Sequence, residues 1–283
     1  MPKGTAGAAP PELARALRLQ QAGDLAGAES LYRALLLRRP GEPDVLHLLG
    51  LVQHQKGDSA AALPLIAQAL AARPDSAIYR RNQASILAGL GRLEEAAEAY
   101  EALHALTPGD AEAHAGLAGV YRRMARWDEA AAQYCRALAL RPGSVSWQSA
   151  LGDVLQGQGD LDGAAAAYRA ALGLDPDFGV AESGLGNVLR AQGRLEEALT
   201  HCRRAVESAP DYPQGHSDLG YCLQDLGRLD EALVAYRKAV ALDRRLLKPI
   251  MMKIPKAAHG RLWLQPSKLK ALLTETNQAR GST

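Results

Sequence analysis

Apolar positions along most of the chain recur at spacings of three and four residues, which is the pattern of one buried helix face. The apolar stripe of segment 91–108 consists of Leu93, Ala96, Ala97, Tyr100 and Leu103. The preceding segment, 77–90, is also helical in pattern, and Gly91 permits the chain to turn between the two. Pro108 ends the second helix because its ring removes a backbone donor. The pattern therefore predicts a helix–turn–helix unit.

This unit repeats with one constant period of 34 residues. The period is marked by Pro40, Pro74, Pro108, Pro142, Pro176 and Pro210, and by Ala28, Ala62, Ala96, Ala130, Ala164, Ala198 and Ala232. Counting from the prolines predicts seven repeats, at 9–42, 43–76, 77–110, 111–144, 145–178, 179–212 and 213–246. Residues 1–8 are predicted to be disordered, and 247–283 to form a basic C-terminal cap or tail.

Small residues also recur midway along the first helix of most repeats. They are Gly50, Ala84, Ala118, Gly152, Gly186 and Gly220. A glycine inside a helix costs about 1 kcal/mol relative to alanine, so its recurrence indicates a point where a neighbouring group comes too close for a side chain.

These positions resemble the tetratricopeptide repeat family, whose pattern is matched here by Leu151-Gly152, Gly159, Ala164, Tyr168 and Pro176. The resemblance covers 238 of 283 residues, and only the first and last units depart from it. It implies an all-α, right-handed superhelical solenoid of seven repeats with a C-terminal cap. Segments such as 185–199 are also similar to the bacterial-type repeats of O-linked N-acetylglucosamine transferases.

The family resemblance implies that the first helices line a concave groove that binds a peptide or protein partner. The outward polar candidates for that groove are His47, His54, Arg81, Asn82, Ser85, Arg122, Arg123, Gln156, Asn187, Arg190, Tyr221 and Gln224. Arg81, Arg122 and Arg123 favour an acidic or C-terminal peptide, since guanidinium groups bind carboxylates in a bidentate manner. The alternative is that these arginines are only solvated helix surface.

Two binding modes of the family are not reproduced in this sequence. The carboxylate clamp of chaperone-binding domains needs Lys and Asn where this chain has His47 and Leu51, or Arg81 and Ser85. The asparagine ladder of the transferases is matched at Asn82 alone. The leading hypothesis is a non-enzymatic scaffold or adaptor. The alternative is the substrate-recognition arm of a protein-modifying enzyme, such as a glycosyltransferase, whose catalytic part lies elsewhere.

The net charge of +2 is unevenly distributed. Residues 243–283 carry nine Lys or Arg and two Asp or Glu, which leaves −5 on the rest of the chain. Three hypotheses fit residues 247–283: a cap on repeat seven, which we favour, a docking tail for a partner or a membrane surface, or a nucleic-acid contact. Trp263 is its only aromatic residue, which argues against nucleic acid.

The remaining chemistry is sparse, and no cofactor or metal is expected. His47 and His54 share a helix face but lack a third ligand. Cys135, Cys202 and Cys222 show no metal or disulfide spacing and are interpreted as reduced, buried residues. With no secretory signal and no apolar run long enough to span a membrane, we expect a cytoplasmic protein. An excess of Arg over Lys, 25 against 8, favours a bacterial source. The sequence leaves the oligomeric state open.

Overall fold

A computed structural model describes residues 11–253 together with 270, 271, 273 and 274. Within these residues the secondary structure is entirely helical. The repeat helices are α1 (Pro11–Gln21), α2 (Leu25–Arg38), α3 (Pro43–Gln55), α4 (Ser59–Ala72), α5 (Ala77–Gly89), α6 (Leu93–Leu106), α7 (Ala111–Arg123), α8 (Trp127–Leu140), α9 (Val145–Gln158), α10 (Leu161–Leu174), α11 (Gly179–Ala191), α12 (Leu195–Ser208), α13 (Pro213–Asp225) and α14 (Leu229–Leu242). The predicted all-α helical-repeat fold is confirmed.

The chain divides into two compact units. Unit 1 ends at Leu140 and contains α1 to α8, and unit 2 begins at Arg141 and contains the helices that follow. In each unit the odd-numbered helix of a pair packs against the even-numbered helix that follows it, and each pair packs on the next. We call the odd-numbered members α1 to α13 first helices and the even-numbered members second helices.

Second helices begin in one of two ways. In three repeats an aspartate caps the helix by accepting a hydrogen bond from the backbone N–H three residues later, as Asp24 does from Gly27 at 2.9 Å. In four others an arginine pairs with the glutamate three residues later, as Arg92 does with Glu95. Both devices place negative charge at the positive end of the helix dipole.

The turn inside each pair requires a left-handed backbone conformation. Gly23, Gly57, Gly91, Gly159, Gly193 and Gly227 adopt it, with φ between 74° and 89°. In repeat four this position is Ala125, whose φ is 56°. A side chain at positive φ is strained, because Cβ approaches the following carbonyl oxygen. The geometry of the turn is therefore kept even where glycine is absent.

The mid-helix glycines receive a side chain from the second helix of their own repeat. A Cβ added at Gly152 would lie 2.7 Å from the ring of Tyr168, and one at Gly220 would lie 2.4 Å from the ring of Tyr236. Both tyrosines are about 1% exposed. The close approach predicted from the sequence is thus made by a second-helix side chain of the same repeat, a tyrosine ring at Gly152 and Gly220 and a smaller side chain, Ile66 or Cys202, at Gly50 and Gly186.

After α14 the chain makes a 3-10 helix (Arg244–Leu246) and a short helix, α15 (Leu247–Lys253). Ile250 and Leu273 are buried in one cluster with Tyr221, Tyr236 and Val240. A cap on repeat seven would make these contacts, and the cap remains a prediction. Residues 1–8, predicted to be disordered, and most of the predicted cap or tail at 247–283 lie outside the described residues.

Candidate functional site

The first helices form the inner side of each unit. Successive first helices, α3 to α5 to α7 in unit 1 and α9 to α11 to α13 in unit 2, contact one another more extensively than successive second helices do. Since a stack curves toward the side where its elements approach most closely, the first helices line the inner side of that curvature. We call this surface the first-helix face of each unit.

Polar pairs one period plus one residue apart join successive first helices. The 35-residue spacing recurs because a residue of one first helix faces the next first helix one position beyond its own repeat equivalent. The pairs are Gln20 with Gln55, Asp44 with Tyr79, His47 with Asn82 and Ala88 with Arg123 in unit 1, and Ser183 with Asp218 and Arg190 with Asp225 in unit 2. Much of the polarity of the first-helix face therefore stabilises the stack itself.

His47 is one of these structural residues. Its side chain is 5% exposed, its ring stacks on Tyr79 with centroids 4.5 Å apart, and Asn82 Nδ2 lies 2.8 Å from its Nε2. Burial lowers the pKa of His47, which keeps the ring neutral and able to accept from Asn82. The expectation that His47 faces outward is wrong, because the following repeat covers it.

Arg81 is held by the next repeat in the same way. Its guanidinium pairs with Asp110. That carboxylate also accepts hydrogen bonds from the backbone N–H groups of Glu112 and Ala113, at 3.1 and 3.2 Å, and so caps α7. The arginine side chain stays 41% exposed. Arg81 therefore contributes to the first-helix face, with its charge partly balanced.

The two predicted glutamines lie beside repeat tyrosines. Gln224 accepts a hydrogen bond from Tyr236 at 2.9 Å. The hydroxyl of Tyr168 donates to Asp153 Oδ1 at 2.7 Å, and Gln156 Oε1 lies 3.4 Å from the same hydroxyl. Burial raises the pKa of both tyrosines, so their hydroxyls remain protonated donors. The signal that could have identified this structural role is the glutamine 12 residues before a repeat tyrosine, which also occurs at Gln20.

In unit 2 the predicted residues surround Asp218. This carboxylate is 3% exposed and accepts from Ser183 at 2.5 Å and from Gln214 at 3.0 Å, with Asn187 as a further partner. Burial raises its pKa despite these hydrogen bonds. The hydrogen bonds of this buried carboxylate are satisfied within the protein. Asn187 therefore has a structural role in the core before any role in binding a partner.

Arg190 and Tyr221 lie beside this core. Arg190 pairs with Asp225 at 2.9 Å, and its guanidinium lies 5.8 Å from the ring centroid of Tyr221. Lys253 Nζ lies 4.3 Å from the centroid of the same ring, and Tyr221 is 5% exposed. The prediction of an outward-facing Tyr221 is wrong, because α14 and α15 pack around it.

Three candidates, His54, Ser85 and Arg123, are exposed, and all three lie in unit 1. The other candidates are half-buried or buried. Ser85 and His54 are exposed, the latter with Nδ1 2.8 Å from Ser59 Oγ. Arg122 is half-buried. Arg123 is exposed and donates to the carbonyl oxygen of Ala88, a neutral acceptor that leaves the arginine charge uncompensated. The structure thus concentrates the accessible candidates on α3, α5 and α7.

The first helices of the two units carry opposite charge. In unit 1 they hold six arginines and three carboxylates. In unit 2 they hold one arginine and four carboxylates. Their potentials therefore favour opposite kinds of ligand, a difference hidden in the total charge of the chain.

Sequence reasoning missed a donor on the fourth residue of three repeats. Arg80, His114 and His216 each donate to the carbonyl oxygen of the proline six residues earlier, at distances of 2.8 to 3.2 Å. An arginine or histidine six residues after a repeat proline is the signal that would have revealed it. In these three repeats the bond joins the first helix to the end of the previous repeat.

Two histidines, His104 and His114, lie in contact within unit 1. Their ring centroids are 3.8 Å apart, and Gln133 Oε1 lies 2.8 Å from His114 Nδ1. Burial, followed by the charge of His114, lowers the pKa of His104. By contrast, His47 and His54 have separate partners, Asn82 and Ser59, and do not converge.

The three cysteines differ in environment. Cys202 and Cys222 are fully buried with their sulfur atoms 3.1 Å apart, as expected for core residues. Cys135 is exposed, so its predicted burial is wrong. Throughout the part of the chain that the structure describes, no helix is long and apolar enough to cross a bilayer.

Comparison with known proteins identifies the class of this helical array. The model of the tetratricopeptide repeat family matches residues 13–77, 55–111, 81–145, 116–177, 149–213 and 183–246. The chain belongs to the tetratricopeptide repeat family.

Solved structures agree on the fold. A tetratricopeptide repeat protein from Parabacteroides merdae has a TM-score of 0.71 at 18% identity, over 84% of this chain and 95% of its own. The C-terminal part of a repeat protein from Cytophaga hutchinsonii has a TM-score of 0.66 at 14% identity, over 82% and 95%. YrrB, described as having an unusual peptide-binding site, has a TM-score of 0.50 at 23% identity, over 66% and 97%.

One curated relative is similar over a short stretch. The TPR repeat-containing thioredoxin TTL4 of Arabidopsis thaliana is 44% identical over 73 residues, which is 25% of this chain. The chain spans only 11% of the length of that relative. This sequence similarity therefore reflects the tetratricopeptide repeats and not the relative as a whole.

Proposed function

We propose that this chain is a protein-interaction scaffold without chemistry of its own, and that the first-helix face of unit 1 binds an acidic peptide segment. Family membership supports the general role, since stacked helical repeats create extended surfaces for partners. YrrB, a solved structure of similar fold, is described as having a peptide-binding site.

The observation that carries the proposal is the excess of arginine on the first helices of unit 1. Arg123 donates to a neutral carbonyl, so its charge attracts a carboxylate from solution. Arg122 lies beside it in the last turn of α7. Ser85, exposed on α5, marks the neighbouring surface over which a bound segment would pass.

The acidic specificity is tested with two fluorescent peptides of equal length, one rich in glutamate and one rich in lysine. We expect the full chain to bind the glutamate peptide more tightly, with affinity falling as salt increases. Changing Arg122→Glu and Arg123→Glu together is expected to weaken that binding at least about tenfold, which corresponds to 1.4 kcal/mol.

Matched variants locate the binding surface. Arg169→Glu reverses one charge, as each of the two substitutions in α7 does, at an exposed position of the second helix α10, and should leave the affinity unchanged. Ser85→Trp blocks the first-helix face without changing charge, and should weaken binding. Equal affinity for both peptides, or equal loss in the Arg169→Glu chain, would contradict the proposal.

The non-enzymatic part of the proposal has its own assay. Incubation of the chain with a sugar nucleotide and a protein acceptor is expected to release no nucleoside diphosphate. Steady turnover by the purified chain would show that it is an enzyme rather than a scaffold.

A further inference from the structure

Repeats three and four place two polar side chains, His104 and Gln133, where other repeats have mostly apolar ones. His104 occupies the position of Leu70, Leu138 and Leu172. Gln133 occupies the position of Ala99, Ala167 and Ala235. Both converge on His114, which is 6% exposed. Neither the repeat pattern nor the proposed function explains this cluster.

Two backbone carbonyls determine which ring nitrogen of each histidine carries hydrogen. His104 Nδ1 lies 3.1 Å from the carbonyl oxygen of Tyr100, and His114 Nε2 lies 3.2 Å from that of Pro108. A carbonyl oxygen only accepts, so each of these nitrogens is the donor. In neutral rings the remaining nitrogens, His104 Nε2 and His114 Nδ1, therefore carry lone pairs.

Those two lone pairs face each other. His104 Nε2 and His114 Nδ1 are 2.5 Å apart, and Gln133 Oε1 lies 2.8 Å from the same Nδ1. Two further electron-pair donors, His104 Nε2 and Gln133 Oε1, thus lie within 2.8 Å of His114 Nδ1. Such an arrangement is stabilised when a cation lies between the donors.

We propose that His104, His114 and Gln133 form a site for one divalent first-row transition metal ion, with Cu²⁺ as the preferred ion. Nitrogen and oxygen donors in square-planar or tetragonal arrangement select Cu²⁺ or Ni²⁺, and Cu²⁺ binds most tightly in the series. Donors about 2.0 Å from a metal and at right angles lie roughly 2.8 Å apart, close to the separations here, whereas a tetrahedral ion separates them by about 3.3 Å.

The surroundings of the rings support a metal site. A histidine that binds a metal generally donates its other N–H to a carbonyl or carboxylate, which holds the ring in place. Both rings already make such a bond, to Tyr100 and Pro108. His104 is partly exposed, so water can complete the coordination.

Two charged side chains act on His104 in opposite directions. Arg136 disfavours a cation at the site, and Asp110 favours one. The described residues contain no group of three or more His, Cys, Asp or Glu side chains suited to a metal, and in the proposed site the third donor is an amide oxygen. The proposal departs from the expectation, drawn from His47 and His54, that the chain binds no metal.

The test is equilibrium dialysis of the tag-free full chain against Cu²⁺, followed by electron paramagnetic resonance. We expect one tight equivalent with hyperfine coupling to two imidazole nitrogens. His104→Leu introduces the leucine of neighbouring repeats, so it should fold normally. It is expected to lower affinity at least about a hundredfold, since even groups that only support a ligand are worth 10- to 100-fold.

Two further variants complete the experiment. Gln133→Ala, the residue of three other repeats, should weaken binding less, because a neutral oxygen is the weakest of the three ligands. His216→Gln removes a histidine at the same repeat position as His114 and should leave tight binding intact. Unchanged tight binding in His104→Leu, or its loss in His216→Gln, would overturn the proposal. So would a chain that binds no Cu²⁺ while nuclear magnetic resonance shows the two rings sharing a proton.

Discussion

Asn82 Nδ2 lies 2.8 Å from Nε2 of His47, a residue of the preceding repeat whose ring is stacked on Tyr79. The bond joins α3 to α5 at a position where the following repeat covers the imidazole. It shows that a side chain on the first-helix face can stabilise the stack of repeats independently of any binding partner.

Removal of this bond has a predictable cost. Asn82→Ala is expected to lower the free energy of unfolding by about 1–2 kcal/mol, because His47 is left as a buried acceptor without its donor. Ser85→Ala, an exposed change on the same helix, should stay within about 0.5 kcal/mol of the parent. Urea unfolding followed by circular dichroism measures both. Equal effects would show that the bond contributes nothing specific.

The stability of the protein should depend on the protonation of His47. Its pKa is lowered in the folded state by burial, so the unfolded chain binds the proton more readily. The contribution of His47 is fully present above the unfolded pKa, about 6.5, and is lost as pH falls toward the lower folded pKa. Thermal melts of the parent and His47→Gln chains from pH 8 to pH 5 should therefore converge on acidification. Ser85→Ala, which removes no titratable group, is the control, and its difference from the parent should stay constant over this pH range.

A methyl group added at two helical glycines should have opposite effects. At Gly220 the new Cβ would lie 2.4 Å from the ring of Tyr236, so Gly220→Ala is expected to cost about 1–3 kcal/mol by overpacking. At Gly173, in α10, nothing lies within 4 Å, so Gly173→Ala should gain about 1 kcal/mol of helix propensity. Denaturant midpoints of the two variants measure the contrast, and two shifts in one direction would contradict it.

Repeat four contains a strain that can be removed. Ala125 has φ of 56° at the turn position that glycine occupies in the other repeats. Ala125→Gly relieves about 1–2 kcal/mol of steric strain and increases the entropy of the unfolded chain, so we expect a net gain below about 1 kcal/mol. A small rise in melting temperature checks this. A fall would mean that the turn tolerates alanine without strain.

The repeat pattern predicted the helices well because it arises from local chemistry. Glycine permits the turn, proline ends the second helix, and residues three and four apart share a face, so the helix bounds follow from spacing. The close contact at Gly152 was also predicted, although its partner, Tyr168, was found only in the structure. The outward positions were predicted less well. His47 and Tyr221 are polar and fall between apolar positions, yet both are buried by elements outside their own helix.

By itself, the amino-acid sequence determined the family, the period and the all-α class, because these depend on interactions within one helix pair. Tertiary structure alone decided which polar side chains remain available to a ligand. Which side chains remain available depends on contacts between residues 35 positions apart in neighbouring first helices. The sequence of one helix does not determine the geometry of those contacts. One such contact gives Arg123 a neutral partner, the carbonyl oxygen of Ala88. Contacts among α6, α7 and α8 bring His104, His114 and Gln133 together from three helices.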